Sequence, residues 1–190
     1  VPRFVDAAAR RREIVEAVKR IVAADGLARV SLREVAAEAG LVVGSVRHYF
    51  ETAEELRVHA FESVANDVVR RVEGADDVVA QLCQLLPLDE ERAVDLCVFS
   101  AFRLAARTDA SLLAVADVAH GRIAAAVGRS VLAARPGAER HELVAEAERL
   151  LATAEGLSLH ALVHGRWLDA DLCLAVVRAQ ADTLGRLPIA

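Results

Sequence analysis

Four prolines, at positions 2, 87, 136 and 188, are the whole supply of this 190-residue chain. Proline removes a backbone donor and clashes with the preceding turn, so nearly all of the sequence is free to be helical. Apolar residues recur along it at the spacing of one helix face, with no strand-like alternation, internal repeat or low-complexity segment. Hydrophobic residues make up 55% of the chain, mostly Ala, Val and Leu, and only 4% are aromatic, which favours helices packed closely through small side chains. The expectation is an all-α protein of about nine helices, long enough for one or two domains.

The most informative stretch runs from Ser31 to Phe50, SLREVAAEAGLVVGSVRHYF. Ser31 is a good N-cap, and Glu34 three residues on completes the pattern of a capping box. Leu32, Val35, Ala36 and Ala39 form one apolar stripe, and Gly40 supplies the left-handed conformation that ends a helix. Leu41 and Val42 are expected to plug the corner before a second short helix over about Val43 to Tyr49. There Val46 and Phe50 fall on one face with Val42 as core, leaving Ser45, Arg47, His48 and Tyr49 on the others. A short helix rich in donors, braced by the helix before it, is what the DNA major groove accepts.

These residues resemble the DNA-binding domain of the tetracycline-repressor (TetR) family. The match covers about Arg11 to Phe61 and rests on several spaced features together: DGLARVS after the first helix, the turn AGLVVGS, the closing HYF and the AEEL opening of the fourth helix. The resemblance implies an N-terminal three-helix helix-turn-helix domain over residues 1–51 and a helical ligand-binding and dimerisation domain over residues 52–190. The stretches LPLDEERAVDL and EGLSLHAL resemble the betaine-regulator (BetI-like) branch. In the family a lysine commonly follows the cap of the fourth helix and contacts phosphate; here Ala53 stands there, which removes one backbone contact.

Charge is distributed to suit this reading. The net charge is −5, but residues 1–51 hold nine Arg/Lys against seven Asp/Glu, and the remainder holds fourteen against twenty-one. A mildly basic head on an acidic body fits a protein that touches phosphate at one end. Val1 to Ala9 is expected to be a loose arm leading to Arg10, Arg11 and Arg12, which either reach phosphates or sit in solvent. Long helices are expected from Arg10 to Asp25-Gly26, Thr52 to Gly74, Asp89–Arg107, Ala110–Ala134, Ala138–His164 and Asp169–Leu187, with a short one at Asp76–Leu86.

Candidate DNA contacts are Arg33, which the resemblance places at the groove edge, Arg47 for bases or phosphate, Ser45 and Tyr49 for phosphate, and His48 for either. The partner is then a palindromic double-stranded DNA operator. The resemblance also implies an effector site inside the body, between the fourth helix and residues 89–134. Its candidate lining is Phe61, Phe99, Phe102, Leu113 and Val118, with Ser100, Arg103 and His120 as polar groups, and its expected occupant a largely apolar small molecule. Phe99 and Phe102 are otherwise core, and Arg103 otherwise part of a salt bridge. The helix Asp89–Arg107 is apolar on nearly every face and is expected at the centre. A homodimer is expected through the last two long helices, with Leu150, Ala154, Leu157, Val176 and Ala179 in the interface.

Other chemistry finds little support. His160 and His164 have the i, i+4 spacing of a metal pair but no third ligand at motif spacing. Nucleophile elbow, P-loop and dinucleotide fingerprint are absent. No cofactor is expected, and an enzyme would need a triad assembled from distant residues. A helical adaptor without DNA binding is the other alternative. Cys83, Cys97 and Cys173 are expected as buried reduced thiols. Without a signal peptide or an apolar run near 18 residues, the chain is expected to be soluble and cytoplasmic, with no membrane partner.

Overall fold

The computed structural model describes residues 6–164 and 169–184, and every described secondary element is helical. Helix α1 spans Ala7–Asp25, α2 Leu32–Glu38, α3 Val43–Arg47, α4 Ala53–Glu73 and α5 Val78–Cys83. Then come α6 Glu90–Ala105, α7 Ala110–Ala134, α8 Arg140–His164 and α9 Ala170–Ala181. The expected break at Gly165–Leu168 and the end of the last helix at 185–187 lie outside the described residues. The contacts sort into two compact units, one of Val1–Ala65 with Cys97–Val115, the other of Asn66–Leu96 with Ala116–Ala190. Helices α4, α6 and α7 contribute residues to both.

In the first unit α1 begins earlier than the arm expected to run through Ala9, because Asp6 caps it, its carboxylate accepting from Ala8 N–H at 3.0 Å. Ile14, Val15, Ala17, Val18, Ile21 and Val22 are its buried stripe. It stops at Gly26, φ 83°, and a 3-10 turn over Leu27–Arg29 leads to α2. The α6 part of this unit buries Val98, Phe99 and Phe102. It is not apolar-buried all round as expected: Leu104 faces solvent.

In the second unit Asp77 and Asp169 cap α5 and α9, accepting from Ala80 N–H and Leu172 N–H at 2.8 Å each. Helix α5 is shorter than the expected Asp76–Leu86; tight turns through Leu85 and Leu86 replace its end. It packs on α8 and α9, which pack on each other. Leu82, Leu86, Leu150, Leu151, Ala154, Cys173 and Val177 are buried in this unit.

Two expectations are corrected here. Helix α7 does contain an 18-residue window of mean hydropathy 1.4, long and apolar enough by length and composition to cross a membrane. The same helix carries Arg122, whose Nε donates to Glu73 at 3.0 Å. Of the cysteines only Cys173 is buried; Cys83 and Cys97 are half-buried, and all three are free thiols. Burial raises the pKa of Cys83 and of Cys173, which favours the thiol over the thiolate at both.

Candidate nucleic-acid interface

The helix-turn-helix is built as its residues dictate. Ser31 Oγ accepts from Glu34 N–H at 3.1 Å and starts α2. The Glu34 carboxylate lies 3.5 Å from Arg29 Nη2, so an ion pair to the preceding turn takes up the side chain that a capping box would turn back. Gly40 adopts φ 66°. Its N–H reaches Ala37 O at 3.2 Å, while Leu41 N–H reaches Ala36 O at 2.8 Å. That bond pair is a Schellman motif, which satisfies the last carbonyls of α2 and turns the chain sharply.

Helix α3 is shorter than the expected Val43 to Tyr49. After Arg47 the chain tightens, Tyr49 N–H and Phe50 N–H both reaching Val46 O at 3.0 Å. His48 and Tyr49 therefore sit on a closing turn. Val46 and Phe50 are buried as expected, and α3 packs on α2, which packs on α1. Val42 is not core: it is 72% exposed. It is the N-cap of α3, with extended backbone at φ −80° and ψ 147°. Its four-residue spacing from Val46 gives no common face, because helical periodicity begins only inside the helix. The extended N-cap turns its side chain outward. Sequence reasoning missed this residue as a possible DNA contact; a thymine methyl is what such an apolar group can meet in a major groove.

Arg33, Arg47 and His48 are exposed, and Ser45 and Tyr49 half-exposed, so all five expected contact residues are accessible on the α2–α3 unit and its closing turn. The acids near them are occupied. Glu13 pairs with Arg10 at 2.6 Å, Glu16 with Lys19 at 3.0 Å, Glu34 with Arg29, and Glu38 with Arg20. Among the described residues Arg12, Arg33 and Arg47 have no carboxylate partner. The Arg11 guanidinium lies 5.7 Å over the Tyr49 ring, and the His48 ring meets Tyr49 edge-on at 5.0 Å. These contacts link the start of α1 to the end of the α3 turn. Thr52 Oγ1 accepts from Glu55 N–H at 3.0 Å, and Glu55 accepts from Glu51 N–H at 2.7 Å, which starts α4 directly after Phe50. The result is a surface of free guanidiniums, hydroxyls and one exposed valine, able to donate to phosphates and base edges.

The expected effector residues come together only in part. Phe61 and Phe102 stack with centroids 5.1 Å apart and planes 7° from parallel, and Phe99 lies 6.0 Å from Phe61. All three are buried, and the rings fill one another's space as core of the first unit. Arg103 is half-buried and stacks over Phe99 at 5.4 Å. His120 belongs to the second unit, its Nε2 3.3 Å from Glu148. Leu113 and Val118, expected as lining, are exposed. The His160 and His164 rings lie 6.5 Å apart on exposed residues, and no group of three metal-ligating side chains occurs among the described residues.

The expected dimer residues also divide. Leu150 and Ala154 are each 0% exposed within the single chain, which corrects their assignment to an interface. Leu157 and Val176 are half-buried, and Ala179 is exposed. Helix α8 carries two apolar stripes, and spacing alone does not say which one its own chain covers. The outward one contains Val144, Ala152, Leu159 and Val163, and α9 adds Leu172, Ala175 and Ala179.

A helix-turn-helix head joined to a helical body defines a class of bacterial DNA-binding regulator, and comparison with known proteins agrees. Residues 14–60 match the N-terminal model of "Bacterial regulatory proteins, tetR family", and residues 74–186 match "BetI-type transcriptional repressor, C-terminal". The chain belongs to the TetR family of transcriptional regulators, with a BetI-type C-terminal part. It is 29% identical over 196 residues to the HTH-type transcriptional regulator PksA of Bacillus subtilis (strain 168), covering 97% of this chain and 94% of PksA. A transcriptional regulator from Rhodococcus sp. Rha1 superposes with a TM-score of 0.83 at 27% identity, over 94% of this chain and 99% of that one. The multidrug binding protein EbrR complexed with ethidium gives a TM-score of 0.63 at 27% identity, over 90% and 97%.

Proposed function

We propose that this protein is a homodimeric repressor that binds a palindromic operator through α2 and α3 and leaves it when a small organic molecule binds the body. The observation that carries the DNA part is the pair of exposed, unpaired guanidiniums Arg33 and Arg47 on a helix-turn-helix whose carboxylates are tied to other cations. Arg47, at the end of α3, is the chief candidate for base recognition. Arg33, in the first turn of α2, is the second, while Ser45, His48 and Tyr49 fix register on phosphates. A two-fold dimer would read half-sites about one helical turn, roughly 34–36 Å, apart. A protein with this target works in the cytoplasm, where the DNA is.

Dimerisation is assigned to the outward stripe of α8 and α9, since Leu159, Val163 and Leu172 are large apolar groups exposed on neighbouring helices. An isologous contact would cover them on both copies. EbrR binds ethidium, and this likeness supports a small organic effector here. Helix α4 lends residues to both units, which makes it the natural carrier of a ligand signal.

The test is an operator selected from random duplexes and measured by fluorescence anisotropy across a salt series. Affinity should fall steeply with salt as counterions are released. Arg47→Ala should lose about 1–3 kcal/mol and relax preference at one base pair per half-site. A double variant Arg33→Ala/Arg47→Ala that bound the selected site as tightly as the parent would sink the assignment of this surface.

A further inference from the structure

A half-buried arginine in the second unit gives the proposed effector a chemistry. Arg71 lies in the last turn of α4. Its Nη1 donates to Asp95 Oδ2 at 2.7 Å, and Asp95 is buried. Its Nε and Nη2 are also buried, and neither has a hydrogen-bond partner. These two atoms are not an arbitrary pair. In a guanidinium the Nε–H and the nearer Nη2–H point the same way, side by side, and form the edge that takes both oxygens of one carboxylate. Asp95 engages the other side of the group with one donor and leaves this two-donor edge open.

Buried donors of a charged group are ordinarily satisfied, because each unmade bond forfeits the water it gave up. A residue needed only to neutralise Asp95 could have been lysine, a point charge with no second edge. A second arginine, Arg92, pairs with Asp89 as Arg71 pairs with Asp95, each at 2.7 Å. Asp89 is held low first by its hydrogen bonds from Arg92, with Arg71 among the further charges acting on it. The Arg92 side chain in turn donates from Nη1 to Cys83 O at 3.2 Å. Much of this unit's interior is hydrocarbon, including Val68, Val72, Leu82, Leu86 and Leu96, although Gln81, Glu146 and Ser158 are buried in it too. A two-donor edge within an apolar interior matches a molecule with one carboxylate and a hydrocarbon body.

We propose that the Nε/Nη2 edge of Arg71 anchors the carboxylate of an amphipathic organic acid, and that such an acid is the effector. This rests on the ligand-responsive reading above. Because the edge is enclosed in the present conformation, an acid reaches it only in one where the surrounding side chains have parted. It therefore favours one state over the other, which an effector must do to shift any equilibrium. The sequence had offered Arg103 for an acidic group; Arg103 instead stacks over Phe99.

The experiment uses the full chain with octanoate and benzoate as probes, and octanamide and benzamide as neutral controls of the same shape. Calorimetric titration should show each acid binding at least tenfold tighter than its amide. Arg71→Lys keeps a cation for Asp95 but lacks the parallel pair, and should weaken the acids at least tenfold without changing the amides. In the parent protein one arginine Nε–H resonance should move downfield with octanoate and stay still with octanamide, a signature that needs no variant to fold. Acids that bind no better than amides, an Arg71→Lys variant with unchanged acid affinity, or an unmoved Nε–H resonance would each overturn the anchor and leave Arg71 satisfied by water. Operator binding is followed separately. Acid binding at Arg71 with no loss of operator affinity overturns the effector role. Operator binding by a protein deaf to every acid overturns the anchor and leaves the DNA reading standing.

Discussion

Phe102 separates a core from a pocket wall, and the structure gives the size of the difference. Its side chain is 0% exposed, and its ring lies nearly parallel on Phe61 with Phe99 beside them. Truncating a fully buried phenylalanine to alanine loses transfer free energy and leaves a cavity, together about 3–5 kcal/mol. The lost ring pair accounts for roughly 0.5–1.5 kcal/mol of that order. For a chain of this length each kcal/mol moves the midpoint by about 2–4 °C, so Phe102→Ala should lower Tm by roughly 6–20 °C. Phe102→Leu, which keeps most of the volume, should cost much less. The assay is thermal unfolding by circular dichroism, paired with urea unfolding to check that the slope is unchanged. A ring lining an open effector site would leave little behind when removed. A Phe102→Ala protein within about 1 kcal/mol of the parent would therefore refute the core assignment.

Three further outcomes follow from named contacts. Gly40→Ala meets no atom within 4 Å, so its cost comes from φ 66° alone, about 1–2 kcal/mol by urea unfolding; no loss would mean the turn relaxes to another conformation. Glu146 is held below its ordinary value of 4.5, first by hydrogen bonds from Arg149, whose Nη2 lies 2.7 Å away. A depressed carboxyl stabilises the fold above its unfolded pKa and loses that contribution as pH falls through the folded one. The stability gap between the parent and Glu146→Gln should therefore be full above about pH 5 and close as pH falls below 4.5, and a gap independent of pH would discount the pair. Leu159→Arg, on the outward stripe of α8, should dissociate the dimer in sedimentation velocity while the monomer stays folded. Ala154→Arg should instead unfold the chain, since Ala154 is 0% exposed within the single chain; a folded monomer from Ala154→Arg would reverse the two stripes.

The sequence by itself determined the elements that local chemistry decides. Scarce proline and 3.6-residue periodicity make the chain helical. Ser31, Gly40 and Thr52 set the start of α2, its end and the start of α4, because caps and left-handed turns are satisfied within a few residues. The basic head, the accessible candidate contact residues and the family resemblance were legible for the same reason. Tertiary structure alone decided which of two similar surfaces is covered. Val42 was expected to plug the corner of the turn as core, but an extended N-cap turns it outward. Helix α8 has apolar residues on two faces, and only packing against α5 and α9 shows that Leu150 and Ala154 belong to the chain's own interior. Phe99 and Phe102 read from the sequence as pocket lining with core as the alternative, and the ring packing with Phe61 favours the core. Arg71 gave no signal in the sequence, because what distinguishes it is that two of its buried donors, Nε and Nη2, have no hydrogen-bond partner while Nη1 pairs with Asp95. Which groups a fold buries without satisfying depends on every segment that surrounds them, and no local pattern records that.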